Sequence, residues 1–296
     1  DDLMLNDIAL GKLNLDIKGD ESLKKFYVRS NLINKNVESF EADGTIEVYD
    51  GKTSLDVDLR FDKFNLGVLG KIGGDVITNI RGFASGNARI DGDINQLDYN
   101  GRLFVNDTGL TIPYLGVDYS FANNSIVDVT ENKFIIRQTE IKDSKFDTEG
   151  QFNGFIKHKQ FGDWELDLNI NSKKLLALYT VDSEDAAYYG TAFMNGSASI
   201  SGPTEGLAIK VNAESVNGTS IKIPINDSEL AEENGYIRFK KPISNNSISK
   251  EEKKFNGLEL DFNFDILENA EIEVILNRDS GHGMKGNGRG TLLFEI

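Results

Sequence analysis

Hydrophobic and polar residues alternate along most of this chain. The alternation is clearest at residues 13–17, 55–61, 164–170 and 258–264. Strict alternation predicts β-strands with one apolar face and one solvated face. Asp-Gly and Asn-Gly pairs, as at 43–44 and 217–218, lie between these runs and are typical of hairpin turns. The pattern therefore predicts an all-β, mostly antiparallel sheet.

Two short apolar stretches depart from the alternation. Between residues 64 and 80, apolar residues recur every three or four positions, which predicts a short helix weakened by four glycines. Residues 175–179 are compatible with a helical turn, and residues 244–254 indicate a polar loop. We therefore expect short helical insertions in the sheet.

The chain also contains an internal repeat. The segment GNARIDG at 86–92 matches GSASISG at 196–202, an offset of 110 residues, and the strand at 55–66 matches 164–175 at an offset of 109. The colinear order of the matches predicts an elongated body of stacked units that forms one continuous domain. We assign N-terminal strands of a preceding repeat to 1–40, a first unit to 41–148, a second to 149–255 and a partial third to 256–296.

Composition narrows the possible functions. The chain has 32 Lys+Arg against 48 Asp+Glu, a formal charge of -16, which argues against a nucleic-acid partner. It has no cysteine, which excludes a disulfide scaffold, a thiolate nucleophile and a cysteine-ligated metal. The first residue is Asp1 rather than Met, so we expect an excised piece of a longer chain.

The candidate catalytic and binding residues are few. The two histidines, His158 and His282, are far apart beside lysines or glycines, so we expect both to be exposed and to bind no metal. The G-x-G-x-x-G string at 281–286 precedes a strand instead of a helix, which argues against a nucleotide site. Asp56 and Asp58 alternate with apolar residues, which places them on the solvated face. We expect no cofactor and no enzymatic activity.

The order of these motifs resembles the C-terminal conserved region of the TamB family (translocation and assembly module). The resemblance rests on G-x-A-x-I-x-G at 86–92, G-x-L-x-V at 101–105, YYGTA at 188–192, Ile-Pro at 223–224 and G-x-G-x-G-x-L-x-F at 286–294. It implies a tapering antiparallel sheet rolled into an open hydrophobic trough, the β-taco. It also implies the periplasm of a double-membraned bacterium, with an N-terminal inner-membrane anchor helix that we expect to lie outside this excised piece.

The resemblance further implies partners and roles. The partners would be phospholipid acyl chains, a TamA-type outer-membrane barrel and nascent outer-membrane protein strands. The roles would be phospholipid movement between the membranes and outer-membrane protein assembly, as in AsmA-like lipid transfer proteins. The family's last strands, where barrel contact is expected, would lie beyond this sequence, so we do not expect this segment alone to bind the barrel.

The apolar face of the predicted sheet must be buried against another layer or around a ligand. One interpretation is an open groove for acyl chains, and the alternative is a structural or adhesive β-solenoid with a closed core and no lipid. The candidate groove-lining residues are Leu55, Val57, Leu59, Phe61, Leu103, Val105, Leu166, Leu168, Ile170, Ile209, Val211, Leu258, Leu260, Phe262, Phe264, Ile272 and Val274.

Overall fold

A computed structural model shows that the chain is nearly all β, which confirms the predicted fold class. The structure describes residues 2–295 apart from 7, 35, 160–161, 184–185, 187, 225–257 and 279–280. The predicted polar loop at 244–254 lies outside the described residues. Within the described part, no helix is long and apolar enough to cross a membrane.

The described residues form nineteen strands in one sheet. The strands are β1 (Leu3–Leu5), β2 (Ile8–Gly19), β3 (Lys25–Asn34), β4 (Val37–Tyr49), β5 (Lys52–Asn65), β6 (Thr78–Asp93), β7 (Gln96–Ile112), β8 (Val117–Phe121), β9 (Ser125–Thr130), β10 (Lys133–Asp143), β11 (Glu149–Lys159), β12 (Gly162–Thr180), β13 (Tyr189–Pro203), β14 (Leu207–Ser215), β15 (Ser220–Pro224), β16 (Leu258–Ile266), β17 (Glu271–Asn277), β18 (His282–Asn287) and β19 (Gly290–Glu295).

Successive strands pair in an antiparallel meander over most of the chain. Strands β1 to β7 follow one another, β8 and β9 both pair with β7 and again with β10, and β11 to β13 continue the series. Both β14 and β15 pair with β13. Short connections explain most of this order, because a tight turn joins antiparallel neighbours. The hairpin turn predicted at Asp43–Gly44 is wrong, because both residues lie within β4 and pair with β3 and β5.

Two strand pairs are parallel and depart from the antiparallel prediction. Strand β14 pairs with β16, and β15 pairs with β17, both in parallel register. Residues 225–257 connect β15 to β16, and a connection of that length permits the crossover that parallel strands require. Strands β19 and β18 then return to antiparallel pairing with β16 and β17.

The described part of the chain contains less helix than the sequence predicted. The stretch 64–80 contains only a 3₁₀ turn at Leu66–Leu69 followed by further turns, and a second 3₁₀ turn lies at Pro113–Leu115. The predicted helical turn at 175–179 is wrong, because these residues extend β12. Residues 175–178 are all buried, and two register shifts against β13 accompany them. An apolar run without alternation is therefore a strand covered on both faces.

Glycine conformations support the internal repeat. Gly86 and Gly196 have φ of 145° and 150°, and Gly92 and Gly202 both have φ of 111°. Their partner strands β5 and β12 correspond at an offset of 111, since Leu55 faces Gly92 and Leu166 faces Gly202. The predicted offset of 109 for these strands was wrong by two residues. A shift of two keeps every side chain on the same face, so the hydrophobic pattern does not reveal it.

The buried apolar residues form two separate clusters. The N-terminal cluster contains Leu10, Leu32 and Val68, with Ile8, Phe40, Phe64 and Leu69 packed against it. The C-terminal cluster is much larger and is built mainly from β12, β13, β14 and β16, with Leu207 and Phe264 fully buried at its centre. The sheet is thus well packed in its second half and sparsely packed in its first.

Candidate functional site

One transverse row of residues crosses thirteen paired strands of the sheet. Residues directly opposite each other on paired strands point to the same face, so the row defines one continuous surface. Every member is apolar or glycine: Leu13, Leu32, Phe40, Phe61, Gly86, Leu103, Val127, Ile136, Gly154, Leu168, Ile200, Ile209 and Leu260. At about 4.8 Å per strand, the row extends roughly 60 Å along the sheet.

A neighbouring row on the same face is almost as apolar. It runs from Leu15 on β2 to Leu166 on β12, and its one polar side chain among the paired residues is Ser30. Together the two rows contain seven of the predicted lining residues, namely Leu59, Phe61, Leu103, Leu166, Leu168, Ile209 and Leu260. We call this surface the apolar face.

The other predicted lining residues lie on the same strands as the two rows or on strands that pair with apolar residues. Leu55 and Val57 alternate with Leu59 along β5, Val105 follows Leu103 along β7, and Ile170 follows Leu168 along β12. Val211 pairs with Phe262, and Phe264 pairs with Ala213. Leu258 pairs with Leu207 through the backbone. Ile272 and Val274 pair with Ile221 and Ile223 of β15.

The N-terminal part of the apolar face is open, apart from Leu32, which is buried in the N-terminal cluster. On β2, Leu13, Leu15 and Ile17 expose 43%, 59% and 53% of their surface. On β5, the predicted lining residues Leu55, Val57, Leu59 and Phe61 are only half-buried. Contiguous exposed apolar side chains mark an interaction surface more often than a folding requirement. We call this region, on β2 to β5, the open part.

The C-terminal part of the apolar face, mainly on β12, β13, β14 and β16, is closed, and we call it the closed part. Leu168, Ile209 and Leu260 expose 4%, 2% and 1% of their surface, although they share a row with Leu13. Eight predicted lining residues belong to the C-terminal cluster: Leu166, Leu168, Ile170, Ile209, Val211, Leu260, Phe262 and Phe264. Here the apolar side chains of the described residues pack against one another in one buried cluster.

Residues between the strands help to close this part, and the alternation did not identify them. Ile77 precedes β6 and Leu115 precedes β8, and both are in the C-terminal cluster. The Tyr119 hydroxyl of β8 donates to the Leu176 carbonyl of β12 at 2.6 Å. Burial raises the pKa of Tyr119, and the nearby Asp143 carboxylate raises it further, so the hydroxyl keeps its proton for this bond.

The opposite face of the sheet is charged. Asp56 and Asp58 lie on it as predicted, and both pair with Arg89 of β6. Arg102 and Arg137 converge on Asp128 at 2.7 and 2.5 Å and lower the pKa of this carboxyl despite partial desolvation. Such exposed pairs contribute little stability but keep this face solvated. Among the described residues, no group of acidic or histidine side chains is placed to hold a metal ion.

The prediction that His158 is exposed was wrong. Only 3% of its surface is exposed, and its ring lies on the apolar face among Tyr99, Phe134 and Trp164, at centroid distances of 5.3 to 5.7 Å. Burial lowers the pKa of His158, so the neutral imidazole is favoured. The sequence does contain a signal for this burial. His158 alternates with Lys157 and Lys159, and the even-numbered residues of β11 face the apolar side. His282, in β18, is exposed as predicted.

One of three comparisons with known proteins found a significant match. A family model described as the TamB C-terminal domain matches residues 137–296, which is more than half of the chain. The matched residues begin in β10 and include the closed part of the apolar face. No curated protein and no solved structure showed significant similarity to the chain.

Proposed function

Because the chain belongs to the TamB family of bacterial envelope proteins, we propose that it is a section of a periplasmic conduit for phospholipid acyl chains. The sheet would form the wall of a hydrophobic trough, and headgroups would remain in water at its open side. The protein would act without catalysis. A membrane anchor elsewhere in the full-length chain would hold the conduit between the inner and outer membranes.

One observation carries the proposal. The apolar face continues across thirteen paired strands, and its first part is left uncovered at Leu13, Leu15 and Ile17. A soluble domain without an apolar ligand gains nothing from exposing these side chains on one face, since burial contributes about 25 cal/mol per Å². An acyl chain lying along the strands' apolar side chains would recover that free energy.

The chemistry of the face suits transit better than tight binding. Each methylene group removed from water contributes about 0.8 kcal/mol, so an acyl chain needs no polar anchor in order to bind. The charged residues of the open part lie on the opposite face, as Asp56, Asp58 and Arg60 show. Because no polar group fixes the acyl chain, neighbouring positions along the row offer it similar binding free energy. The acyl chain can therefore slide between them.

A second role, support of outer-membrane protein assembly with a TamA-type barrel, has one observation in its favour. Strand β1 covers only residues 8–11 of β2, and among the described strands none pairs with residues 12–19 on the side away from β3. An edge that stays unpaired in the full-length protein would accept a client strand by β-augmentation. Crosslinking of nascent outer-membrane protein at this edge, with no lipid on the apolar face, would favour assembly over lipid transport.

The closed solenoid remains the opposing interpretation, and the packing of the C-terminal cluster favours it for that half of the chain. The two interpretations differ in the open part. A structural solenoid requires only that β2 to β5 fold, whereas a conduit requires that their apolar face stay apolar. A charge at Leu59 separates them, because this side chain is half-buried and lies outside both core clusters.

We expect Leu59→Asp in the full-length protein to reduce co-purified phospholipid about tenfold while the protein remains folded. Asp58→Asn, on the charged face of the same strand, is the matched control and should leave the lipid content unchanged. The measurement is mass spectrometry of lipids extracted after native purification, with circular dichroism to verify folding. Equal lipid content in the wild type and Leu59→Asp would refute the conduit.

A further inference from the structure

The segment between β5 and β6 lies between the two apolar clusters. We call residues 66–77 the gate segment. Val68 exposes 3% of its surface and belongs to the N-terminal cluster, whereas Ile77 exposes 2% and belongs to the C-terminal cluster. Ile72 and Val76 also pack against the C-terminal cluster. One short segment thus joins the packing of the open and closed parts.

The gate segment reaches a distant strand connection. A Cβ atom added to Gly74 would lie 3.2 Å from the Thr204 carbonyl oxygen, in the turn between β13 and β14. Strands β6 and β13 are separated in the sheet by β7 to β12. The segment therefore packs its apolar side chains against the C-terminal cluster and reaches a turn between two strands that lie far from β5 and β6 in the sheet.

Few polar contacts hold the gate segment in this place. Backbone hydrogen bonds within the segment close its turns. Gly70 N donates to Gly67 O at 2.9 Å, and Ile77 N donates to Gly73 O at 3.1 Å. The Asn6 side-chain amide donates to Val68 O at 2.6 Å and ties the segment to the N-terminal strands. The Asn65 side chain of β5 accepts from Gly67 N at 2.9 Å where the segment begins, and its other described attachment is apolar packing, which an acyl chain can replace.

The backbone of the segment is suited to rearrangement. It contains Gly67, Gly70, Gly73 and Gly74 within eight residues, and Gly74 has a φ of +55°. Glycine reaches both signs of φ at little cost, so such a segment exchanges one set of turns for another more readily than a strand does. Its apolar side chains meanwhile occupy space on the apolar face that a ligand would otherwise fill.

We propose that the gate segment is an internal gate, whose apolar side chains stand in for an acyl chain and must move aside before lipid passes between the open and closed parts. This inference rests on the proposed function, because it concerns regulation of the same apolar face. The two states would differ in what covers the face: the gate segment in one, and an acyl chain in the other.

A disulfide lock tests the gate. Gly74→Cys with Thr204→Cys would fix the segment to the turn after β13, and the chain's own lack of cysteine makes the pair specific. The control pair is Asn14→Cys with Asn31→Cys, which join paired positions of β2 and β3 on the charged face. Both pairs would be placed in the full-length protein in cells, with any cysteines outside residues 1–296 replaced. A photo-crosslinking residue at Leu15 reports on the open part, and one at Ile136, which packs against the C-terminal cluster, reports on the side that the gate segment would close.

The gate predicts a position-dependent result. Oxidation of the Gly74–Thr204 pair should lower lipid crosslinking at Ile136 about tenfold, leave it unchanged at Leu15, and be reversed by a reductant. Unchanged crosslinking at Ile136 after oxidation would overturn the gate and leave the conduit standing. Absence of lipid at Leu15 in the unlocked protein would overturn the conduit itself, and the gate with it.

A second variant tests the gate in the opposite direction. Ile77→Ser removes apolar packing between the segment and the C-terminal cluster, so it should raise lipid crosslinking at Ile136 above the wild-type level. Lys71→Ser, at an exposed position of the same segment, is its control. Crosslinking at Ile136 that is equal in both variants would argue against a closed gate, whether or not the disulfide forms.

Discussion

Leu168→Asp is expected to destabilise the protein by about 5 kcal/mol or more, because it places an unpaired carboxylate in a packed apolar cluster. Leu168 exposes 4% of its surface, and its cross-strand neighbours Gly154 and Ile200 offer no side-chain partner for a charge. The variant should fail to accumulate or should unfold at much lower urea than the wild type.

The matched control is Leu15→Asp on the same apolar face. Leu15 exposes 59% of its surface, so its carboxylate would stay hydrated and the expected loss is about 1 kcal/mol or less. Urea unfolding followed by circular dichroism measures both variants. Similar losses at both positions would show that the open and closed parts do not differ in packing.

Gly154→Ala is expected to destabilise the protein by about 3 kcal/mol or more, because the new methyl group has no room. Gly154 has a φ of 155°, and a Cβ atom there would lie 2.1 Å from the Asp167 carbonyl oxygen on β12. The backbone of β11 or β12 would have to shift, and these strands build the edge of the C-terminal cluster.

The repeat supplies an independent check of this prediction. Gly44, 110 residues earlier, has the same close approach, with its added Cβ 2.1 Å from the Asp56 carbonyl oxygen. Gly44→Ala should therefore also destabilise, although by less, since its neighbours are only half-buried. Gly206→Ala, whose nearest contact would be Pro203 Cγ at 4.0 Å, is the control. A tolerated Gly154→Ala in thermal unfolding would contradict the tight backbone approach.

Much of the fold follows from local patterns that the sequence displays directly. Alternation identified β5, β12 and β16 because one face of each strand is apolar and the other is solvated. Asp56 and Asp58 were placed on the charged face for the same reason, and the structure pairs both with Arg89. The predicted lining residues of β5, β7 and β12 share one face because a period of two assigns faces reliably.

The remaining features depend on contacts that no local pattern records. Alternation shows that Leu59 and Leu168 face the same side, but it does not show that one is half-exposed and the other is buried. That difference comes from distant residues such as Ile77 and Leu115, which join the C-terminal cluster from turns. His158 was misjudged because its lysine neighbours lie on the opposite face of β11.

The parallel strand pairs illustrate a second limit. The alternation of β14 and of β16 is the same in both chain directions, so it does not show whether the two strands pair in parallel or antiparallel. Their pairing is set by which apolar faces meet after the connection at 225–257. From the sequence, only residues 244–254 were predicted to form a loop, so the full connection between β15 and β16, which permits a crossover, was not recognised. Connection length deserves the same weight as hydrophobic pattern when the direction of neighbouring strands is predicted.

Site-specific photo-crosslinking along β5 of the full-length protein tests the central claim most directly. A photo-crosslinking residue would be placed in turn at Val57, Asp58, Leu59 and Arg60, which alternate between the two faces of one strand. The conduit predicts that lipid adducts form at 57 and 59 and are about tenfold weaker at 58 and 60. Equal adducts at all four positions, or none at 57 and 59, would contradict an acyl-chain path on the apolar face.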